Sequence, residues 1–321
     1  MKFFAPFVFA GMVGIIHAQD IRVHDPVMIK QGDTFYLFCT GMGITMYSSP
    51  DMKTWTREKP VFESGPQWAI DAIPGFKGHI WAPDISFNDG VYYLYYSVSA
   101  FGKNTSCIGV ATNTTLNSKD AAYKWVDHGK VIQSVPGRDL WNAIDPNLAY
   151  DDNGQPWLTF GSFWSGMKLV KMNANLKEVA KPEEWYTISK RARDFKTDDY
   201  DAGEGSVEAP FIFKKNNYYY LFVSFDACCR GVKSTYKIMV GRAEKISGPY
   251  LDKENVRLDQ GGGSLVLAGN ESWPGVGHNS VYTFDGKDYR IAHAYDAADE
   301  GKPKLIIREI EWKDGWPVIS W

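Results

Sequence analysis

The chain has 321 residues, with 38 acidic against 35 basic side chains and a net charge of −3. That balance argues against a nucleic-acid protein, whose binding surface needs concentrated positive charge. Aromatic side chains reach 15%, including 12 Trp and 18 Tyr, which suits a β-rich core and, where a ring is exposed, stacking on the C–H face of a sugar.

The first element reads as an export signal. Lys2 supplies the positive start, Phe3 to Ile16 is an apolar run broken by Pro6 and two glycines, and Ala18 is small enough for signal peptidase. The run is short for a membrane span, and no Cys follows it to carry a lipid anchor. We therefore expect a signal over residues 1–18 and a secreted or periplasmic mature chain over 19–321, without a membrane anchor and monomeric.

Five strand openings follow. They read His24-Asp25-Pro26, Trp81-Ala82-Pro83, Ile144-Asp145-Pro146, Glu208-Ala209-Pro210 and His278-Asn279-Ser280, about 57 to 70 residues apart. That period fits one four-stranded propeller blade per opening. After each opening comes a tight turn and an aromatic or apolar second strand: Gln31-Gly32-Asp33 before Thr34–Phe38, Asn88-Asp89-Gly90 before Val91–Tyr96, Asp152-Asn153-Gly154 before Trp157–Phe160, Lys215-Asn216-Asn217 before Tyr218–Val223, and Asp285-Gly286-Lys287 before Tyr289–Ala292.

Third strands are expected at Ile44–Ser48, Ile108–Thr112, Lys168–Met172, Lys237–Ala243 and Leu305–Ile310. Fourth strands are expected at Asp51–Trp55, Tyr123–Val126, Gly248–Tyr250 and, in blade five, Trp316–Ile319. The fold class is all-β, a single five-bladed propeller. The long connections Pro60–Gly78 and Lys181–Gly205 would build the rim of a cleft.

First strands of propeller blades line one axis, so Asp25, Asp145 and Glu208 are expected to meet in one pocket. A single Asp-Pro is an ordinary turn starter, but three acids at one register of three repeats are not. Carboxylates gathered in this way equip a glycoside hydrolase, in which one acid protonates the leaving oxygen and another attacks the sugar or activates water. His278 falls at the blade-five position that matches Glu208, Ile144, Trp81 and His24, where it is either a satisfied buried histidine or a ligand for an axial metal. Trp81 and Trp164 are candidate sugar platforms, with Phe101 a further one. His79, His128 and His293 carry no assignment.

The four cysteines, Cys39, Cys107, Cys228 and Cys229, are too few for a disulfide framework. Sequons stand at Asn104, Asn113 and Asn270.

The segments His24-Asp25-Pro26, Lys77–Asp84, Asn142–Asn147, Gly161–Trp164, Val207–Pro210 and Gly277–Ser280 resemble the family 43 glycoside hydrolases, and among them the endo-1,5-α-L-arabinanases. They span nearly the whole mature chain in that family's order. The resemblance implies hydrolysis of internal α-1,5 bonds of arabinan with inversion. Asp25 would be the general base, Glu208 the general acid, and Asp145 the residue that positions Glu208 and raises its pKa by like charge. It also implies sugar contacts from Asn142 beside the three aromatics, and a calcium ion in the central channel held through His278 and waters. Exo-acting arabinanases, arabinofuranosidases and β-xylosidases of the same family are the competing reading, and a non-catalytic carbohydrate-binding propeller is the third.

Overall fold

The computed structural model describes residues 19–321. The expected export signal over 1–18 lies outside the described residues.

Five four-stranded antiparallel units make up the molecule. Blade one consists of Val27–Gln31, Thr34–Cys39, Thr45–Ser49 and Thr56–Arg57. Blade two runs through His79–Asn88, Val91–Ser99, Ser106–Asn113 and Val126–Ser134, with Gly41–Met42 added at its inner edge. Asn147–Tyr150, Pro156–Phe160, Met167–Lys171 and Trp185–Ser189 form blade three, and Val207–Lys215, Tyr218–Phe225, Lys237–Ala243 and Ser264–Ala268 form blade four. The five-bladed propeller expected from the openings is the fold observed.

Blade five departs from expectation. Its first three strands are Val276–Phe284, Lys287–Asp296 and Lys302–Glu309, but the fourth is the N-terminal Gln19–Arg22, antiparallel to Lys302–Glu309. Trp316–Val318, expected there, instead pairs with Glu311–Lys313 in a separate hairpin. The last blade is thus built from both ends of the described chain, which closes the ring.

Two other fourth strands were misplaced. Asp51 folds its own segment into a turn, its Oδ1 accepting from the amides of Lys53 and Thr54 at 2.8 and 2.7 Å, so the strand comes later, at Thr56–Arg57. Gly248, at φ 84° and with its amide on the Lys245 carbonyl, also belongs to a turn, and the strand follows at Ser264–Ala268. In blade two the fourth strand starts where the expected one ends, at Val126.

Apolar side chains from adjacent blades fill the spaces between sheets. Phe38, Met46, Ile80, Leu94 and Tyr96 pack between blades one and two, and Tyr95, Val110, Leu158 and Phe160 between two and three. Asn104 and Asn113 are 1% and 3% exposed, so two of the three sequons are walled in by this packing.

The five openings share one backbone device. In each, two first-strand residues face one residue of the second strand, and the first of the two is left-handed: Asp25 (φ 52°), Ala82 (42°), Asp145 (59°), Ala209 (54°) and His278 (47°). A non-glycine residue there costs about 1–3 kcal/mol and persists only where its surroundings over-determine it. Here the surroundings are a ring of bonds between blades. Ala82 N donates to Thr40 Oγ1 at 2.8 Å, Asp145 N to Ser97 Oγ at 3.0 Å, His278 N to Ser224 Oγ at 2.8 Å and Asp25 N to His293 Nδ1 at 3.1 Å. Each acceptor stands at the second strand of the preceding blade. Blade three has Gly161 at that place, without a side chain, and Asp145 itself takes over: its Oδ2 accepts from Ala209 N at 3.1 Å.

Candidate active site

The left-handed bulge turns its side chain off the ordinary strand alternation at the inner end of the first strand. That placement gathers Asp25, Asp145, His278 and, one residue ahead of its own bulge, Glu208. Asp25 and Asp145 are 7% and 6% exposed, and Glu208 is partly accessible. His278 shares the position of Asp25 and Asp145, not that of Glu208, which matches Gly277. The expected match of His278 to Glu208 is therefore one residue out, because this opening alone lacks the proline that marks the bulge in the other four.

Asp25 is held on every side. Its Oδ1 lies 2.8 Å from His24 Nδ1 and 3.0 Å from His278 Nδ1, and its Oδ2 accepts from Thr40 Oγ1 at 2.5 Å. Burial would raise its pKa, but the charges and hydrogen bonds of His24 and His278 outweigh that and hold the carboxyl well below the usual range. For His278, burial works against the charged form, yet the facing Asp25 and Asp145 win and carry it up to about 9. The two shifts agree on an aspartate–imidazolium pair.

Glu208 moves the other way. Burial is the main cause of its raised pKa, offset in part by Tyr236, His278 and a 3.0 Å bond from Ser162 Oγ, with the Asp25 charge adding to the rise. Asp145 is pushed up to about 8, first by burial and then, against His278, by the charges of Glu208 and Asp25. The expected like-charge effect of Asp145 is thus not what chiefly lifts Glu208. Its hold on Glu208 runs through the backbone, by way of the next residue's amide at Ala209.

Two histidines and a tyrosine complete the surroundings of Asp25. His24 stacks on buried His293 with ring centres 3.9 Å apart, and the Tyr295 hydroxyl lies 3.1 Å from His24 Nε2 and 3.3 Å from His293 Nε2. His24, Asp25 and His293 form the compact group of metal-capable side chains among the described residues, but His293 Nδ1 is already taken by the Asp25 amide.

The expected sugar contacts divide. Trp81 is half-exposed, its indole Nε1 bonded to His79 Nδ1 at 2.9 Å, and Phe101 is 82% exposed on a turn beyond the second strand of blade two. Asn142 is buried with an unbonded Oδ1. Its loop is tied down by Asn104, whose Nδ2 donates to the carbonyls of Asp139 and Trp141. Trp164 is only 4% exposed and spends its Nε1 on the Asp199 carbonyl. It has almost no ring face to offer a sugar, and it supports the long 190–206 connection instead. His128 sits far out on blade two, bonded to Thr112.

Sequence reasoning missed Thr40, Ser162, Tyr236 and Tyr295. A lone hydroxyl at a strand end looks like any surface residue, and only the pairing of strands and blades brings Thr40 to Asp25, Ser162 and Tyr236 to Glu208, and Tyr295 to His24.

Comparison with known proteins decides the family. The profile of Glycosyl hydrolases family 43 matches residues 19–317. The chain belongs to that family. Among relatives of this family 43 chain, the extracellular exo-α-(1→5)-L-arabinofuranosidase of Cellvibrio japonicus is 54% identical, over 94% of this chain and 88% of the relative. The extracellular endo-α-(1→5)-L-arabinanase 1 of Bacillus subtilis is 43% identical over the same shares. In structure, the Cellvibrio cellulosa α-L-arabinanase complexed with arabinohexaose superposes with a TM-score of 0.92 at 53% identity, covering 94% of this chain and 96% of that one. This chain is accordingly a glycoside hydrolase of the arabinanase and arabinofuranosidase group.

Proposed function

We propose that this protein hydrolyses α-1,5-linked L-arabinofuranosyl bonds of arabinan with inversion, after export. The observation that carries the reading is the opposite setting of two acids on one axis: Asp25 lies 2.8 and 3.0 Å from two imidazoles, which hold its pKa down, while Glu208 faces the Ser162 hydroxyl at 3.0 Å and burial raises its pKa. A carboxylate that stays ionised and a carboxylic acid that stays protonated are what such a reaction divides between base and acid. In this reading Asp25 takes a proton from the attacking water, Glu208 gives one to the leaving oxygen, and Asp145 keeps the Glu208 backbone in place. Trp81, Phe101 and Asn142 hold neighbouring sugars.

Attack on internal bonds is the mode expected from the sequence, and the 43% identical relative is named an endo-enzyme. The second reading is exo action, supported by the printed name of the 54% identical relative. A time course on linear 1,5-α-arabinan, resolved by product length, separates them. An early spread of oligomers with a fast fall in viscosity supports internal cleavage. One short product from the start supports exo action, and cleavage of xylan oligomers alone would overturn both.

Calcium remains a proposal. His278 Nδ1 faces Asp25, so its other ring nitrogen would be the ligand, once the imidazolium gives up the proton it carries there, and calcium otherwise seeks oxygen donors. With Asp25, Asp145 and Glu208 around His278, such a cation would be held mainly through waters. Bound there, it would supply positive charge that favours the ionised form of Asp25.

A further inference from the structure

Cys228 and Cys229 are consecutive and joined to each other. The effect of a cross-link on the unfolded chain grows with the loop it closes, and a bond between neighbours closes none. Whatever this disulfide does is local. The two remaining cysteines, Cys39 and Cys107, are free and buried.

The pair lies between the second and third strands of blade four, in a segment seated against blade five. The Thr235 amide donates to the Ala227 carbonyl at 2.9 Å, and the Arg230 amide to Ser234 Oγ at 3.1 Å. A Cβ at Gly301 would come within 2.3 Å of the Val232 nitrogen, so the packing leaves no slack. At the active-site end, the Cys229 amide donates to the Tyr295 hydroxyl at 2.7 Å, and Cys229 Sγ lies 3.7 Å from His24 Nε2. The opposite nitrogen of that imidazole is 2.8 Å from Asp25 Oδ1. One imidazole ring therefore separates the disulfide from Asp25. A water activated by Asp25 must touch the anomeric carbon it attacks, so the sugar carrying that carbon falls within reach of the sulfurs. Cys229 is exposed, and a disulfide presents polarisable apolar surface that suits C–H groups rather than hydroxyls.

We propose that the Cys228–Cys229 disulfide is a wall of the sugar subsite beside Asp25, an apolar platform for the C–H face of an arabinofuranosyl ring. This assignment rests on the arabinan reading above.

The test compares the mature chain with the Cys228→Ala/Cys229→Ala variant on arabinotriose and arabinohexaose. KM should rise about tenfold while kcat falls far less, as loss of ground-state sugar contact requires, and the melting temperature should hold within a few degrees. Reduction of the wild-type disulfide by a water-soluble phosphine gives an independent arm that needs no variant to fold. Two electrons and two protons go to the sulfurs, and the phosphine takes oxygen from water to become its oxide. Alkylation under native conditions should then label two thiols, the buried Cys39 and Cys107 staying silent, and KM should rise in step with labelling. Unchanged KM in both arms would overturn the proposal. So would a fall in kcat at constant KM, which would make the disulfide a support for His24. Failure of the oxidised wild type to cleave either oligosaccharide would instead overturn the arabinan reading, and the ligand assigned here with it.

Discussion

Asp25 and Glu208 occupy environments that differ in kind, and their variants should differ accordingly. Glu208→Ala should lower kcat/KM on arabinan by about 10²–10⁴, the range for loss of a general acid. An aryl arabinofuranoside with a good leaving group should be partly spared, since its departure needs no proton. Asp25→Ala should lose both substrates. Steady-state kinetics on the two substrates check this, and equal losses in both variants would remove the division of roles. The pH profile of kcat/KM should be bell-shaped. Activity falls at low pH as Asp25 takes up a proton, and because its pKa lies well below the usual carboxylate range this limb should sit far on the acid side. Activity falls at high pH as Glu208, whose pKa is raised, loses its proton. Ser162 donates to Glu208 and so favours its charged form. Ser162→Ala should therefore move the alkaline limb upward, leaving the acid limb where it is.

The bulge at each opening is the element that turns strands into a site. Where the residue is alanine, as at Ala82 and Ala209, it contributes backbone alone, whereas Asp25, Asp145 and His278 put chemistry at the same place. The amide ring between blades fixes all five. Ser97→Ala would leave the buried Asp145 amide without its acceptor, at a cost of about 1–3 kcal/mol, read as a fall in melting temperature. Much of this was legible in the sequence. Asp25-Pro26, Ala82-Pro83, Asp145-Pro146 and Ala209-Pro210 mark four bulges directly, since proline there removes a donor the bulge does not need. Blade five carries Asn279 instead, and the register slipped by a residue at His278. The acceptors Thr40, Ser97, Ser224 and His293 were not legible, because each pairs with a blade other than its own.

Closure is a property of the whole molecule. Gln19–Arg22 completes a blade whose other strands lie more than 250 residues later, a pairing that local pattern and turn chemistry have no means to signal. The last apolar stretch, Trp316–Val318, read as the natural fourth strand and went elsewhere. A chain beginning after Val23 should leave Lys302–Glu309 as an open edge. Losing a few kcal/mol in a protein of this size should lower the melting temperature by about 5–10 °C, with activity per folded molecule reduced as well, since His24 and Asp25 follow directly on the missing strand. Scanning calorimetry of the shortened chain checks this.

An inverting division of labour between Asp25 and Glu208 leaves its mark on the anomeric form of the first product. Proton NMR taken within the first turnovers on an α-1,5-arabino-oligosaccharide, before mutarotation, should show the new reducing end as the β-anomer. An α-anomer appearing first would mean a covalent intermediate and a nucleophile in place of a base, and would rule out inversion.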